Sequence, residues 1–321
     1  MILAGLLMSL AFLTKQNALP VVMGTGLYCV LVLPRWSKLL YPATVALSIG
    51  LSTLVLNLVS DGWFFYYGFS LPLEHVLVPR ELTDFWLRDI AHLSIAFVLS
   101  VVYLGTLVPN RRRDFVFYTC ILVSMIGASW ISRLHSGGYH NVLLPGYAAI
   151  SICFGLGTHI LLQDRRVVRT LYEALVILLC LVQFGSLAYN PAALLPSESD
   201  RRAGEGFVAM LGRVRGEVFV PYHGFLPALA GKRTYAHTMA ISDVLRGRNE
   251  EVELTLRQDI EERILGKRYE LIVLDTDWGS MQDEIETNYR LKDRAFGRDD
   301  VFWPVTGKRT RPELVYELIG Q

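Results

Sequence analysis

The stretch ISRLHSGGYHNVLLP (residues 131–145) places polar side chains between two apolar runs: Arg133, His135, Tyr139, His140 and Asn141. Arginine can hold a phosphate through two parallel hydrogen bonds, and histidine can donate or accept a proton near neutral pH. Gly137 and Gly138 allow the backbone to turn sharply or to approach a ligand closely. The pattern predicts a site for an anionic group, and a solvated loop that caps two helices is the alternative.

A second polar stretch, LAFLTKQNALP, carries Lys15, Gln16 and Asn17 at the end of an apolar run. A lysine at a membrane boundary commonly extends its ammonium toward water, which is the simpler interpretation. The alternative is that Lys15 binds the phosphate of a lipid-linked substrate while Gln16 and Asn17 donate neutral hydrogen bonds. His75 is a weaker candidate for the same cavity.

The segments that flank these two polar stretches are apolar. Hydrophobic residues make up 52% of the chain and charged residues 19%, and the formal net charge is +1. No basic face for a nucleic-acid backbone is evident, so the sequence predicts no nucleic-acid partner. No H-E-x-x-H or paired C-x-x-C spacing predicts a metal site. All four cysteines fall in apolar runs, which argues against a disulfide framework.

A helix needs about 20 apolar residues to cross the hydrocarbon core. Candidate spans are 1–14, 18–34, 39–58, 91–109, 115–132, 142–163 and 170–189. The first two are short, and they suggest either a truncated helix beside a tilted one or a re-entrant pair. The first is interpreted as a membrane helix whose beginning is missing rather than as a signal peptide.

Orientation follows from basic residues in short connections. The connections 34–38, 110–114 and 163–169 are basic, and they alternate with the spans so as to share the cytoplasmic side. The opposite side then receives residues 14–17, the loop 59–90, the polar stretch 132–141 and the chain beyond about residue 190. The aromatic composition of the outer loop 59–90 predicts that it lies on the membrane surface. The localisation predicted is a multi-pass protein of the plasma or inner membrane.

The remainder of the chain has the composition of a soluble domain. A linker is predicted at 191–202, followed by an extracytoplasmic α/β domain at 203–321. The segments 216–222 and 269–275 are predicted strands, and 243–266 has helical spacing. The strand, helix, strand order predicts a small parallel layer that resembles half of a doubly wound domain. The fold class predicted is therefore a mainly α, polytopic transmembrane bundle of about seven spans in 1–190, followed by this domain.

Two polar features in the tail carry weaker hypotheses. Asp275 and Asp277 follow the second predicted strand, where open α/β sheets bind ligands, although a simple strand-end turn explains them as well. The tetrapeptide GKRT occurs at 231–234 and 307–310. Neither copy has the preceding glycine of a phosphate-binding loop.

The stretches GLLMSLAFLTKQNAL, FSLPLEH and SRLHSGGYHNVLLP, followed by an outward soluble tail, resemble integral-membrane glycosyltransferases of the GT-C class. The similar branch contains protein-mannosyltransferase-like and lipid-A-aminoarabinose-transferase-like enzymes. The resemblance covers most of residues 1–190 and rests on the order of features. It implies transfer of a sugar from a polyprenyl-phosphate donor to an acceptor glycan, lipid or protein on the outer side of the membrane. Membrane lipid is the other partner implied, and a divalent metal ion is the one cofactor left open.

By this resemblance, Lys15, Arg133 and His135 would contact the donor phosphate. A substrate pocket would be lined by a further set of polar residues: Gln16, His75, Tyr139, His140 and Asn141. In the family, an acidic residue in the first outer loop serves as catalytic base or metal contact, and this sequence has no counterpart to that motif. The resemblance therefore implies the carboxyl-terminal part of a longer transferase, so that enzymatic activity of this chain alone is uncertain and its catalytic residues are unknown.

The outer loop offers five carboxylates as substitute bases, each a weak candidate: Asp61, Glu74, Glu81, Asp84 and Asp89. Two other classes of function compete. A polytopic scaffold or binding subunit with an outward partner-binding domain needs no carboxylate. A transporter commonly buries charged residues within its spans, and the predicted spans contain almost none.

Overall fold

The computed structural model describes residues 1–109, 111–163 and 169–320. The chain divides into two compact units, Met1–Ala188 and Tyr189–Gln321, called here the helical unit and the sheet unit. Part of the predicted basic connection 163–169, including Arg165 and Arg166, lies outside the described residues, as does Asn110.

The helical unit contains long helices joined by short turns. Its α-helices are α1 (Ile2–Thr14), α2 (Leu19–Val32), α3 (Arg35–Val59), α4 (Trp63–Phe65), α5 (Leu71–Glu74), α6 (Glu81–Asp84), α7 (Ser94–Leu107), α8 (Arg112–Leu134), α9 (Leu144–Gln163) and α10 (Arg169–Ser186). Tighter or wider turns connect them: 3₁₀ turns at Gln16–Ala18, Ala91–Leu93 and His140–Leu143, and π-helical segments at Tyr66–Ser70 and Phe85–Ile90.

In the described part of the chain, five helical stretches are long and apolar enough to cross a membrane: Arg35–Val59, Glu81–Leu107, Arg112–Leu134, His140–Gln163 and Leu171–Leu194. This is consistent with an integral membrane protein. The first two of the predicted spans form shorter apolar helices, Ile2–Thr14 and Gln16–Val32. The span predicted to begin at residue 91 starts ten residues earlier, because α6 and the π-helical segment continue into α7.

The outer surface of the helical unit is apolar. On α3, a stripe of leucines with helical spacing is exposed by 57–71%: Leu47, Leu51, Leu54 and Leu58. In water such a stripe would be unfavourable by about 25 cal/mol for each Å² exposed, whereas lipid chains solvate it. The exposed leucines of α3 therefore fit a lipid-facing surface.

Close packing between α2 and α8 depends on a small residue. A Cβ on Gly24 would lie 2.6 Å from the Ser124 side chain, so only glycine allows this approach. The rings of Tyr28 and Phe117 meet one turn further along, at 5.2 Å between centroids. Gly24 contacts Ser124, whereas Tyr28, which is later in α2, contacts Phe117, which is earlier in α8. The two helices therefore run antiparallel.

A second set of contacts joins α7, α8 and α9. Gly157 of α9 approaches the backbone of α7 so closely that a Cβ there would lie 2.9 Å from Leu99 O. Ser100 donates its hydroxyl to Ala96 O and Ile150 O, at 2.7 and 3.0 Å. The buried core of the unit lies among these three helices, from Phe85 at one end to Leu107 at the other.

The sheet unit has a four-stranded sheet covered by helices. Its elements are α11 (Glu198–Arg213), β1 (Glu217–Phe219), α12 (Phe225–Leu229), α13 (Thr238–Leu245), α14 (Glu250–Leu265), β2 (Tyr269–Leu274), α15 (Gln282–Asn288), β3 (Tyr289–Arg294) and β4 (Leu314–Leu318). The strand order is β1-β2-β4-β3, with β1 parallel to β2 and with β4 antiparallel to both β2 and β3.

The two strands predicted from the sequence form and pair in parallel, as expected. The predicted all-parallel layer is wrong, because β3 and β4 extend the sheet in antiparallel fashion. The single helix predicted at 243–266 is two helices, α13 and α14. The break between them ends at Asn249, whose side chain accepts a hydrogen bond from Val252 N at 3.2 Å and so caps α14.

The start of the sheet unit is more regular than the predicted linker 191–202. Pro191–Leu194 forms a 3₁₀ turn, and α11 begins at Glu198. Ser197 caps this helix in a capping box with Asp200, in which each side chain bonds the other residue's backbone N–H. The last five residues of the predicted linker are therefore helical.

Candidate functional site

The polar segments of the helical unit meet at one of its ends. The end of α1 and the turn after it contact the π-helical segment 66–70. The Nε2 atom of Gln16 lies 3.6 Å from where a Cβ on Gly68 would be, and the ring centroids of Phe12 and Phe69 lie 6.1 Å apart. The turn Gln16–Ala18 also contacts α8. Because α2 and α8 are antiparallel, this contact lies toward the Arg133 end of α8. We call this end the polar end.

Backbone hydrogen bonds join the outer loop 59–90 to the turn after α8. Val78 N donates to Leu134 O at 2.7 Å, and Ser136 N donates to Val76 O at 2.9 Å. Leu77 and His135 form an antiparallel bridge between these two bonds. The loop and the turn, which are more than fifty residues apart in sequence, thus form one piece of structure.

Arg133 lies at the centre of this piece. Its Nε donates to Asp89 Oδ2 at 2.9 Å, its second terminal nitrogen lies 3.3 Å from Glu81 Oε2, and its first donates to Gly138 O at 2.6 Å. The Arg133 side chain is 19% exposed and that of Asp89 is 8% exposed. Tyr147 of α9 donates its hydroxyl to Asp89 O at 2.9 Å, and it thereby holds the backbone of the π-helical segment Phe85–Ile90.

The sequence predicted that Arg133 contacts a donor phosphate, and it treated Glu81 and Asp89 as separate loop carboxylates. The structure brings all three side chains together, and the guanidinium already has carboxylate and carbonyl partners. Asp89 was taken for a loop residue because the predicted span began at Ala91. Its spacing from Glu81, about two helical turns along the same chain, is the signal that would have placed both carboxylates on one face.

Several polar atoms at this end are buried without a hydrogen-bond partner among the described residues: Tyr66 Oη, Trp130 Nε1 and His135 Nδ1. Burial raises the pKa of the Tyr66 hydroxyl, and the nearby Glu74 carboxylate adds to the shift. Buried polar groups without a partner cost about 1–3 kcal/mol each, so each of these atoms is available to bind water or a ligand.

Lys15 lies in the extended residue between α1 and the 3₁₀ turn, and its side chain is exposed. Gln16 is half-buried beside the π-helical segment 66–70, and His75 is half-buried just before the bridged loop. Tyr139, His140 and Asn141 are exposed, and the latter two begin the 3₁₀ turn before α9. The structure thus gathers the predicted residues at one end, with Lys15 accessible to a ligand in solution or lipid.

Both glycines of the turn are required by its geometry. Gly137 has a φ of +89°, in the left-handed region. A Cβ on Gly138 would lie 2.3 Å from Ser132 O, which no side chain tolerates. The sequence prediction of a sharp turn here is confirmed, and the turn directs Gly138 O onto the Arg133 guanidinium.

No group of three or more histidine, cysteine, aspartate or glutamate side chains that could hold a metal ion exists among the residues described. The polar end thus offers the exposed ammonium of Lys15, an arginine held by carboxylates, and buried hydrogen-bonding atoms without partners among the described residues. These groups can bind an anionic headgroup and orient neutral hydroxyls.

No protein-family model, curated protein or solved structure matches this chain.

Proposed function

We propose that the chain transfers a sugar from a polyprenyl-phosphate donor to an acceptor, at the polar end of the helical unit and on the extracytoplasmic side of the membrane. The single observation that carries the proposal is that Lys15, the ion pairs of Arg133 and the unpartnered atoms of Tyr66, Trp130 and His135 all lie toward the polar end of an apolar helical unit. A lipid-linked phosphate sugar is a ligand that needs both an apolar surface and such a polar end.

The orientation is supported by the distribution of basic residues. Arg35 and Lys38 begin α3, and Arg111 to Arg113 precede or begin α8, all at the end opposite to the polar end. Short connections rich in lysine and arginine stay on the cytoplasmic side. The polar end then faces the other side.

The proposed reaction displaces the donor phosphate from the sugar. A hydroxyl oxygen of the acceptor forms a bond to the anomeric carbon, and the bond from that carbon to the phosphate oxygen breaks. The hydroxyl proton passes to a carboxylate, and the polyprenyl phosphate leaves with an additional negative charge. Lys15 stabilises that charge, since a cation near the leaving oxygen lowers the barrier.

Arg133 acts in this proposal as a positioning residue. Its guanidinium holds Asp89 and Glu81 at the polar end, and it ties both to the turn through Gly138 O. Glu81 is the proton acceptor in this proposal, because its Oε2 has no hydrogen-bond partner among the described residues, whereas Oδ2 of Asp89 accepts a hydrogen bond from Arg133 Nε at 2.9 Å. The proposed base therefore comes from the outer loop of this chain.

Donor binding is the direct test. The chain is reconstituted in lipid nanodiscs, and binding of a twenty-carbon polyprenyl phosphate is measured for the parent chain, for Lys15→Ala and for Lys38→Ala. Loss of a charge-assisted contact weakens binding by about tenfold in Lys15→Ala. Lys38→Ala removes the same charge at the opposite end and leaves binding unchanged.

Transfer is then followed with a radiolabelled polyprenyl-phosphate sugar. Glu81→Gln is expected to abolish release of the lipid phosphate while donor binding persists. A chain that binds the lipid but shows no release in any form is a binding subunit, the competing function. Equal binding by Lys15→Ala and Lys38→Ala contradicts the proposed donor site.

A further inference from the structure

A histidine and an aspartate meet at the carboxyl ends of the two parallel strands of the sheet unit. β1 leads through Val220 to His223, and β2 leads directly to Asp275. The His223 Nε2 and Asp275 Oδ2 atoms lie 2.9 Å apart, with side-chain exposures of 14% and 7%. In open α/β sheets this edge is where ligands bind, because the strand ends and the loops that follow them form a crevice.

The aspartate fixes how the imidazole can act. An ionised carboxylate only accepts hydrogen bonds, so Nε2 of His223 carries the proton that it shares with Asp275. In the neutral ring Nδ1 then has a free lone pair and is an acceptor. No partner for Nδ1 occurs among the described residues, and the His223 side chain is 14% exposed. His223 therefore presents an acceptor to the crevice.

The neighbouring loop is held rigidly around this pair. His237 accepts a hydrogen bond from Met239 N at 3.0 Å on Nδ1, so its Nε2 donates to Tyr222 O at 2.8 Å. Thr238 N donates to Pro221 O, also at 2.8 Å. The backbone on both sides of Tyr222 is thus tied to the start of α13, which fixes the loop that leads to His223.

Charge at the crevice excludes anionic ligands. Burial is the main cause that raises the pKa of the Tyr222 hydroxyl, and the carboxylates of Asp275 and Asp277 add to the shift, whereas a hydrogen bond with Thr238 opposes it. Asp277 is exposed, and its Oδ1 accepts from Gly279 N at 2.7 Å. Phosphates and carboxylates would be repelled here, whereas neutral hydroxyls find carboxylate and imidazole acceptors.

An exposed aromatic ring lies beside the imidazole. Phe225 is 60% exposed, and its ring centroid lies 6.3 Å from that of His223 in an edge-on arrangement. Sites that combine an apolar ring with a few fixed polar atoms suit ligands that have one apolar face and several hydroxyls. A sugar ring has this combination.

We propose that the carboxyl ends of β1 and β2 form a binding site for a neutral carbohydrate, whose ring packs against Phe225 and one of whose hydroxyls donates a hydrogen bond to Nδ1 of His223. This site belongs to the sheet unit alone and does not depend on the proposed sugar transfer. The carbohydrate is held by acceptors rather than by cations, which distinguishes it from the phosphate ligand proposed for the helical unit.

The test uses the whole chain in lipid nanodiscs, because sugar-based detergents would compete. Saturation-transfer NMR is recorded with D-glucose, D-galactose, D-mannose and N-acetyl-D-glucosamine as separate probes. We expect saturation transfer to the ring protons of at least one probe. His223→Ala should weaken binding by about tenfold, since it removes a hydrogen bond to a charged pair. Asp259→Asn, which breaks an exposed ion pair with Arg263 on α14, is the matched control and leaves binding unchanged.

His223→Ala also leaves the buried Asp275 carboxylate without its partner, so the sheet unit can unfold in that variant. Phe225→Ala provides the second test, because the ring that it removes is 60% exposed and the His223–Asp275 pair stays in place. It should lower saturation transfer severalfold with the fold intact. Absence of transfer to all four sugars in the parent chain overturns the proposal, as does undiminished transfer in Phe225→Ala.

Discussion

The Nε atom of Arg133 lies 2.9 Å from Oδ2 of Asp89, and this ion pair joins α8 to a π-helical segment 44 residues earlier in the chain. Both side chains are less than one-fifth exposed. Desolvating two charges is costly, so the pair contributes little net stability, but removing one partner leaves the other charge buried and unpaired. The pair therefore specifies where the outer loop docks.

Removing one partner of this ion pair should therefore cost more stability than removing every charge of the group. Asp89→Ala should lower the free energy of unfolding by about 3 kcal/mol, because the Arg133 guanidinium loses its closest counter-charge. The triple variant Asp89→Leu, Glu81→Gln and Arg133→Met should recover most of that loss, since it removes the arginine together with both carboxylates that pair with it. Chemical unfolding in mixed micelles measures the effect.

The control is Arg80→Ala, which breaks an ion pair with Asp84 in which the arginine is 65% exposed. It should change stability by less than about 1 kcal/mol. If Asp89→Ala behaves like this control, the buried pair does not determine loop docking.

Residues at the polar end should be accessible from one side of the membrane. In a chain without its native cysteines, Lys15→Cys and Tyr139→Cys should react with a membrane-impermeant maleimide from the same side of sealed vesicles. Trp36→Cys, at the opposite end and 84% exposed in the parent side chain, should react from the other side. Labelling of positions 15 and 139 from different sides excludes a shared headgroup site.

The apolar helices were predictable because burial in lipid or core requires long hydrophobic runs, which the sequence displays directly. Residues 81–90 were predicted as loop because Glu81, Asp84, Arg88 and Asp89 make them polar. Two of these carboxylates are half-buried or buried against Arg133, a partner that local sequence does not reveal. Charges that pair in the tertiary structure thus accompany a helical conformation at residues that the sequence predicted as a loop.

The sheet illustrates the same limit. β2 was predicted because it is a short apolar run that ends at an aspartate, and in the structure five of its six residues are buried. β3 reads YRLKDR, of which Tyr289 alone is buried, because it lies at the edge of the sheet. Without alternation there is no period-two signal to find. Likewise, Asp275 was singled out by its position after a strand, whereas its partner His223 became visible only with the pairing of β1 and β2.

A glutamine in the apolar helix α10 has a backbone role that can be tested. Gln183 is 3% exposed, its Oε1 accepts from Ala96 N at 3.0 Å, and its Nε2 donates to His92 O at 2.9 Å. These bonds satisfy backbone groups where the 3₁₀ turn Ala91–Leu93 gives way to α7. Gln183→Leu should therefore lower the free energy of unfolding by about 2 kcal/mol and should speed hydrogen exchange at Ala96.

Phe184→Leu is the control for this substitution, since Phe184 is the adjacent residue and is 64% exposed. It should leave both stability and exchange at Ala96 near the parent values. Normal exchange at Ala96 in Gln183→Leu would show that the backbone finds other partners there.

The capping box of α11 predicts a pH-dependent contact within the sheet unit. Hydrogen bonds from the Ser197 hydroxyl, then from the Ser197 and Phe302 backbone N–H groups, lower the pKa of Asp200 below its ordinary value. A carboxyl whose pKa is depressed by folding adds stability above its unfolded pKa of about 3.9 and loses it as pH falls through the folded value. Protection of the Phe302 amide, which donates to Asp200 Oδ1 at 2.6 Å, should therefore fall at pH values below about 4 in the parent chain.

In Asp200→Asn, protection of the Phe302 amide should already be reduced severalfold at pH 7 and should vary little with pH. Hydrogen exchange, corrected for intrinsic rates, measures this protection. Asp283→Asn, an exposed residue in the first turn of α15, should retain the parent profile, and an unchanged profile in Asp200→Asn would exclude this carboxylate as the titrating group.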